Sequence, residues 1–124
     1  MIGSTRRVTV WAYGAPCDMR KHFDSLAAIV AGAMRRDVLA GDVYVFVGKD
    51  RKRAKVLYWD GTGLCVFAKR LEKGRFAAPW MHAKDGVLRM TMSELSLLLE
   101  GSEFVGKLAL SPAPFAFRRP GAPA

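Results

Sequence analysis

The sequence predicts a single α+β domain: a small antiparallel β-meander packed against one long helix, with a short C-terminal helix and an extended tail. Three observations carry that expectation. Apolar residues recur at helical spacing from Met19 onward. Three short β-branched and aromatic runs then follow one another, separated by turn signals. The chain closes on residues 111–124, which hold four prolines. Its 124 residues suit one domain, assigned to 1–110, with 111–124 as a Pro-rich flexible tail. Hydrophobic residues make up 51% and charged residues 25%, a balance that folds around a core.

In chain order, residues 7–13 (Arg-Val-Thr-Val-Trp-Ala-Tyr) read as a first strand, ended by Gly14-Ala15-Pro16. Asp18 suits a helix N-cap or first turn. Met19, Phe23, Leu26, Ala27, Val30, Ala33 and Met34 step by threes and fours, which predicts about four helical turns closed by Arg35 and Arg36. Strands follow at 43–48, 54–59 and 64–71, joined by Lys49–Arg53 and by Asp60-Gly61-Thr62-Gly63. Glu72-Lys73-Gly74-Arg75 is a further tight turn. The middle strands are apolar on both faces, so one face should take the helix and the other needs a second cover or a partner. Residues 77–86 form an irregular link around Pro79-Trp80, and 87–90 a short strand. Thr91 or Ser93, with Glu94, opens a second helix that ends at Glu100-Gly101, with Leu95, Leu98 and Leu99 inward.

No apolar run approaches 18 residues, so no membrane span is expected, and the basic residues do not form one face of an amphipathic helix, which argues against a membrane surface as partner. Arg6, Arg7 and the short apolar stretch after them only faintly mimic a secretion signal. Cys17 and Cys65 do not make a disulfide framework, and a cytoplasmic setting with free thiols fits them.

A metal-dependent nuclease needs converging carboxylates. Here the acids fall at caps, turns and helix ends, and Asp24 has Arg20 four residues before it. Cys17, His22, Cys65 and His82 match a zinc-ligand count but lack chelating spacing. No phosphate loop of the G-x-x-x-x-G-K type occurs. The expectation is no enzyme, no metal, no cofactor and no small-molecule substrate.

Charge is the strongest signal. Twenty Lys and Arg against eleven Asp and Glu leave +9, which favours an anionic partner, nucleic acid first. Between positions 49 and 75 lie Lys49, Arg51, Lys52, Arg53, Lys55, Lys69, Arg70, Lys73 and Arg75, against Asp50, Asp60 and Glu72. The two turns that hold most of these should return to the same end of the meander and form a phosphate-binding patch. Arg20 and Lys21, placed in a first helical turn where cations are unfavourable, add a second anion-attracting point. Trp11, Tyr58, Trp59, Phe67 and Trp80 have faces that can stack on bases, but their alternation with other apolar residues reads first as core packing.

Residues 17–27, Cys-Asp-Met-Arg-Lys-His-Phe-Asp-Ser-Leu-Ala, resemble the DMRKxxDGLA signature of the TnpB accessory proteins of insertion-sequence family sixty-six. The resemblance continues through Val45-Phe46-Val47, residues 55–64, residues 67–76, Ser93-Glu94-Leu95 and Leu98-Leu99-Glu100-Gly101. It departs at His22 and Ser25, where the family tends to have glycine. It implies a non-catalytic accessory of transposition that accompanies a separate transposase, and it brings no catalytic or ligand residues. Direct DNA binding through the basic turns is the first expectation. Docking on the transposase without DNA contact, through the uncovered sheet face or the tail, is the alternative.

Overall fold

The computed structural model describes residues 7–101. Five strands, β1 (Val10–Tyr13), β2 (Val43–Val47), β3 (Arg53–Trp59), β4 (Leu64–Arg70) and β5 (Val87–Met90), form one sheet in the order β4-β3-β2-β1-β5. Two helices, α1 (Phe23–Ala31) and α2 (Met92–Leu99), lie against its opposite faces. The tail expected over 111–124 and the domain boundary at 110 lie outside the described residues.

The α+β class holds, but the sheet as a whole is mixed rather than an antiparallel meander. β2, β3 and β4 are antiparallel neighbours, whereas β1 runs parallel to β2 and antiparallel to β5. The cause is the composition of β1. Val10 and Ala12 are buried on one face, while Trp11 and Tyr13 pack on the other. A strand apolar on both faces belongs inside a sheet. α1 carries the chain back across the sheet, so β1 and β2 run side by side in the same direction.

β2 is the centre. All five of its residues are buried, Val43, Val45 and Val47 facing α2 and Tyr44 and Phe46 facing α1. Each such side chain contributes roughly 1.5–3 kcal/mol by burial. Leu26 and Val30 of α1 close one core with Leu57, and Leu95 and Leu98 of α2 close the other with Phe76.

The first helix has nine residues, not the four turns expected. Met19 and Met34 belong to the same buried cluster as Leu26 and Val30, but both sit outside the helix. At its start, the Asp18 carboxylate accepts from the Arg20 amide at 2.9 Å and the Lys21 amide donates to the Asp18 carbonyl at 3.1 Å, a local turn that competes with the helix. His22 becomes the N-cap, its amide donating to Ser25 Oγ at 2.9 Å. Its φ of −140° needs no glycine. At the other end Gly32 ends the helix, Arg35 takes a φ of 55°, and Met34 folds back, its amide donating to the Ile29 carbonyl.

The Asp60-Gly61-Thr62-Gly63 segment joins β3 and β4, but as a four-residue loop: of the Asp-Gly pair that suits a type I′ turn, only Gly61 takes a positive φ, 104°. The Asp60 carboxylate accepts from the Thr62 and Gly63 amides at 2.9 Å, which hold its pKa down to about 2. α2 opens at Thr91, whose hydroxyl accepts from the Glu94 amide while the Glu94 carboxylate accepts from the Thr91 amide.

Candidate nucleic-acid interface

Three segments meet at one end of the sheet: residues 17–21, the β2–β3 turn, and residues 71–76 after β4. The Cys17 amide donates to the Val47 carbonyl at 2.9 Å, which lays the first segment beside Gly48. The Leu71 amide donates to the Lys52 carbonyl at 2.8 Å and the Phe76 amide to the Arg51 carbonyl at 2.7 Å. Arg51 Nε returns a bond to the Phe76 carbonyl at 2.8 Å. The two basic turns are therefore bound to each other through their backbones.

The 17–21 segment is held at both ends. Beyond the Cys17 contact, Lys55 Nζ donates to the Lys21 carbonyl at 2.6 Å. Between them the Met19 side chain is driven down onto Gly48, where a Cβ would stand 2.8 Å from Met19 Cγ. Arg20 points outward, 89% exposed, its guanidinium 2.8 Å from the Asp18 carboxylate. That guanidinium holds the Asp18 carboxyl well below the usual carboxylate range. Burial pushes the neighbouring Cys17 thiol up. Arg20 and Lys21 thus precede the helix rather than occupy its first turn, and Arg20 pairs with Asp18, not Asp24.

Register decides which cations share a face. Leu57 packs against α1, so Lys55 and Arg53, two and four residues earlier, point to that same side. Arg70 stands directly opposite Arg53. Arg53, Lys55 and Arg70 line a cleft of about 270 Å³ with Met19 and Ala68, and Arg53 continues into a second hollow walled by Lys49, Asp50, Asp18 and Met19. Like charges directly opposite on antiparallel strands are destabilising. The acids nearby relieve this only loosely, Asp50 at 3.6 Å from Arg53 and Glu72 at 3.5 Å from Arg70.

Of the eleven cations expected to bind DNA, Arg53, Lys55 and Arg70 line this cleft, Lys49 walls the adjoining hollow, and Lys21 is tied to Lys55 through its carbonyl. Arg20, Lys52, Lys73 and Arg75 are exposed on the three converging segments. Arg51 is turned inward to Phe76, with a φ of 61°. Lys69 also borders the cleft, but its side chain leaves by the opposite face, where its Nζ donates to the Leu99 carbonyl at 2.7 Å and covers the negative end of α2. Among the aromatic side chains, Trp11 lies under Arg36, whose guanidinium carbon is 3.6 Å from the ring centroid, and its Nε1 donates to Asp42. Trp80 packs against the α2-side core, and Phe67 is exposed. The roles of Met19 and Gly48 as the floor of the site, and of Lys55 as a tether, escape sequence inspection because each depends on the pairing of Cys17 with Gly48. Among the described residues no three His, Cys, Asp or Glu come together to hold a metal ion. No helix there is long and apolar enough to cross a membrane.

A family model described as IS66 Orf2 like protein matches residues 8–107, which include every segment of the cleft. The chain belongs to this family. Two relatives from Sinorhizobium fredii, the uncharacterized proteins y4jC and y4hO, are each 38% identical over 104 residues, 84% of this chain and 87% and 89% of theirs. No solved structure gives a significant match. Membership in the IS66 Orf2 like family marks an insertion-sequence-associated accessory protein.

Proposed function

We propose that the protein is a non-catalytic accessory factor of insertion-sequence transposition that binds DNA phosphates through the cationic end of its sheet. The observation that carries this reading is Arg53 set directly opposite Arg70, beside Lys55 and Lys49, with only loose acid partners. A sheet tolerates such a pair at a cost, and a phosphate between the two guanidinium groups removes the cost. The same end collects the other exposed turn cations, which suits a track of backbone contacts rather than base readout.

The test is a salt-titrated binding measurement on duplex DNA, with element-end and random sequences compared. Log affinity is expected to fall linearly with log salt, by about 0.9 per phosphate contacted. Substituting Lys49, Arg53 and Arg70 together by glutamine should flatten that slope by about 2–3 units. Arg51 and Lys55 are poor probes, because both hold the scaffold. An unchanged slope in the triple variant rejects the cleft as the binding surface. Metal-dependent nicking by the purified chain would reject the non-catalytic part.

A second reading has its own observation. Val43, Val56, Tyr58, Phe67, Met92, Leu95 and Leu99 line an apolar groove beside α2, with Phe67 and Met92 exposed at its rim. Docking of the transposase there predicts co-purification that survives nuclease treatment and is lost in Met92→Glu.

A further inference from the structure

β4 is an edge of the sheet, and no described strand lies beyond it. Its hydrogen-bonding alternation follows from two flanking bonds in the same register. Leu71 donates to Lys52 and Asp60 to Gly63, so the odd positions of β4 exchange backbone bonds with β3. The N–H and C=O groups of Leu64, Val66, Ala68 and Arg70 therefore point outward along the edge. Among the described residues β4 carries few of the usual edge protections: it has seven residues, no proline and no bulge, and its two charges sit at one end. The other edge, β5, has only four residues.

We propose that β4 pairs antiparallel with β4 of a second copy of this chain, making a two-fold symmetric dimer with one continuous ten-stranded sheet. Only the register with Phe67 opposite Phe67 pairs all seven residues of both strands. It is consistent with the outward set, because Leu64 then meets Arg70 and Val66 meets Ala68, each a pair of outward-pointing residues. Phe67, 47% exposed in the single chain, gains its own symmetry mate as cover. Charge complementarity selects the antiparallel sense. β4 begins beside Asp60 and ends in Lys69-Arg70, so antiparallel pairing sets each basic end beside the acidic turn of the other copy, while parallel pairing would stack like on like. The two-fold axis stands perpendicular to the sheet, which leaves both α1 helices and both cationic clefts on one face.

Sedimentation and light scattering of the full chain test this at 0.15 M salt, where the +9 on each copy is screened beyond about 8 Å. A dimer is expected. Ala68→Pro should return it to monomer with unchanged circular dichroism, because the lost N–H points outward and the β3 ladder keeps its bonds. In a Cys65→Ser background, Phe67→Cys should cross-link under mild diamide oxidation, since a non-hydrogen-bonded pair brings its Cα atoms to about 4.5 Å. That second variant decides the matter if the proline variant fails to fold. A monomeric wild type overturns the proposal, whether residues 102–124 or nothing covers the edge. So does a dimer in which Phe67→Cys gives no cross-link, or one that survives Ala68→Pro.

Discussion

Gly48 shows how one missing side chain shapes the site. Its position between β2 and the turn is fixed by the Cys17 bridge, and Met19 fills the space a Cβ would take. Gly48→Ala should therefore lower stability by about 1–3 kcal/mol through overpacking. Thermal melts should also show Met19→Ala relieving part of that loss, so that the double variant costs less than the two singles together. Additive losses would place the conflict elsewhere. The left-handed Arg51 beside it illustrates a second limit on single residues. Its charge is legible in the sequence, but its direction is not, because the Phe76 carbonyl that captures it comes from a segment 25 positions away.

At the scale of elements, Lys69 separates two meanings of a basic strand end. The sequence sets it beside Arg70 in one basic strand end, yet alternation sends the two side chains to opposite faces. Lys69→Met should destabilise the last turn of α2 by about 0.5–1 kcal/mol, within the range for a cation at a helix C-terminus. It should leave the salt dependence of DNA binding unchanged. Denaturant melts and the binding titration read these separately, and a flattened salt slope would show that the Lys69 charge serves the cleft. Strand positions and the second helix were legible, because β-branched runs, Asp-Gly and a Thr91/Glu94 capping box are local signals. The limits of the first helix were not. Met19 and Met34 extend its apolar period although they reach the core from loops, and periodicity cannot distinguish the two routes.

For the whole molecule, the excess of charge was legible but its geometry depended on strand order. The local meander put both basic turns at one end, as the alternation of hairpins requires, and the backbone bonds between residues 51–52 and 71–76 bear that out. The Arg53–Arg70 opposition became visible only with the register. Concentrating cations at one end should make folding and binding respond to salt with opposite signs. Raising salt from about 0.01 to 0.15 M shortens the screening length from about 30 to 8 Å. Self-repulsion then falls, and Tm should rise by about 4 °C, equivalent to about 1 kcal/mol for a domain this size. DNA affinity should fall over the same range. Melts with flat or falling Tm would show that the acids already balance the cluster.

The place of β1 has a consequence for the order in which the chain assembles. β2, β3 and β4 are joined by short turns, so their loops close at little entropic cost and can form first. β1 must wait. Its partners on either side are β2, across the whole of α1, and β5, near the far end of the described chain. The earliest of the described strands is thus among the last to find its neighbours. Until it does, β2 exposes a second apolar edge, and the nascent chain carries its greatest risk of mispairing during that interval.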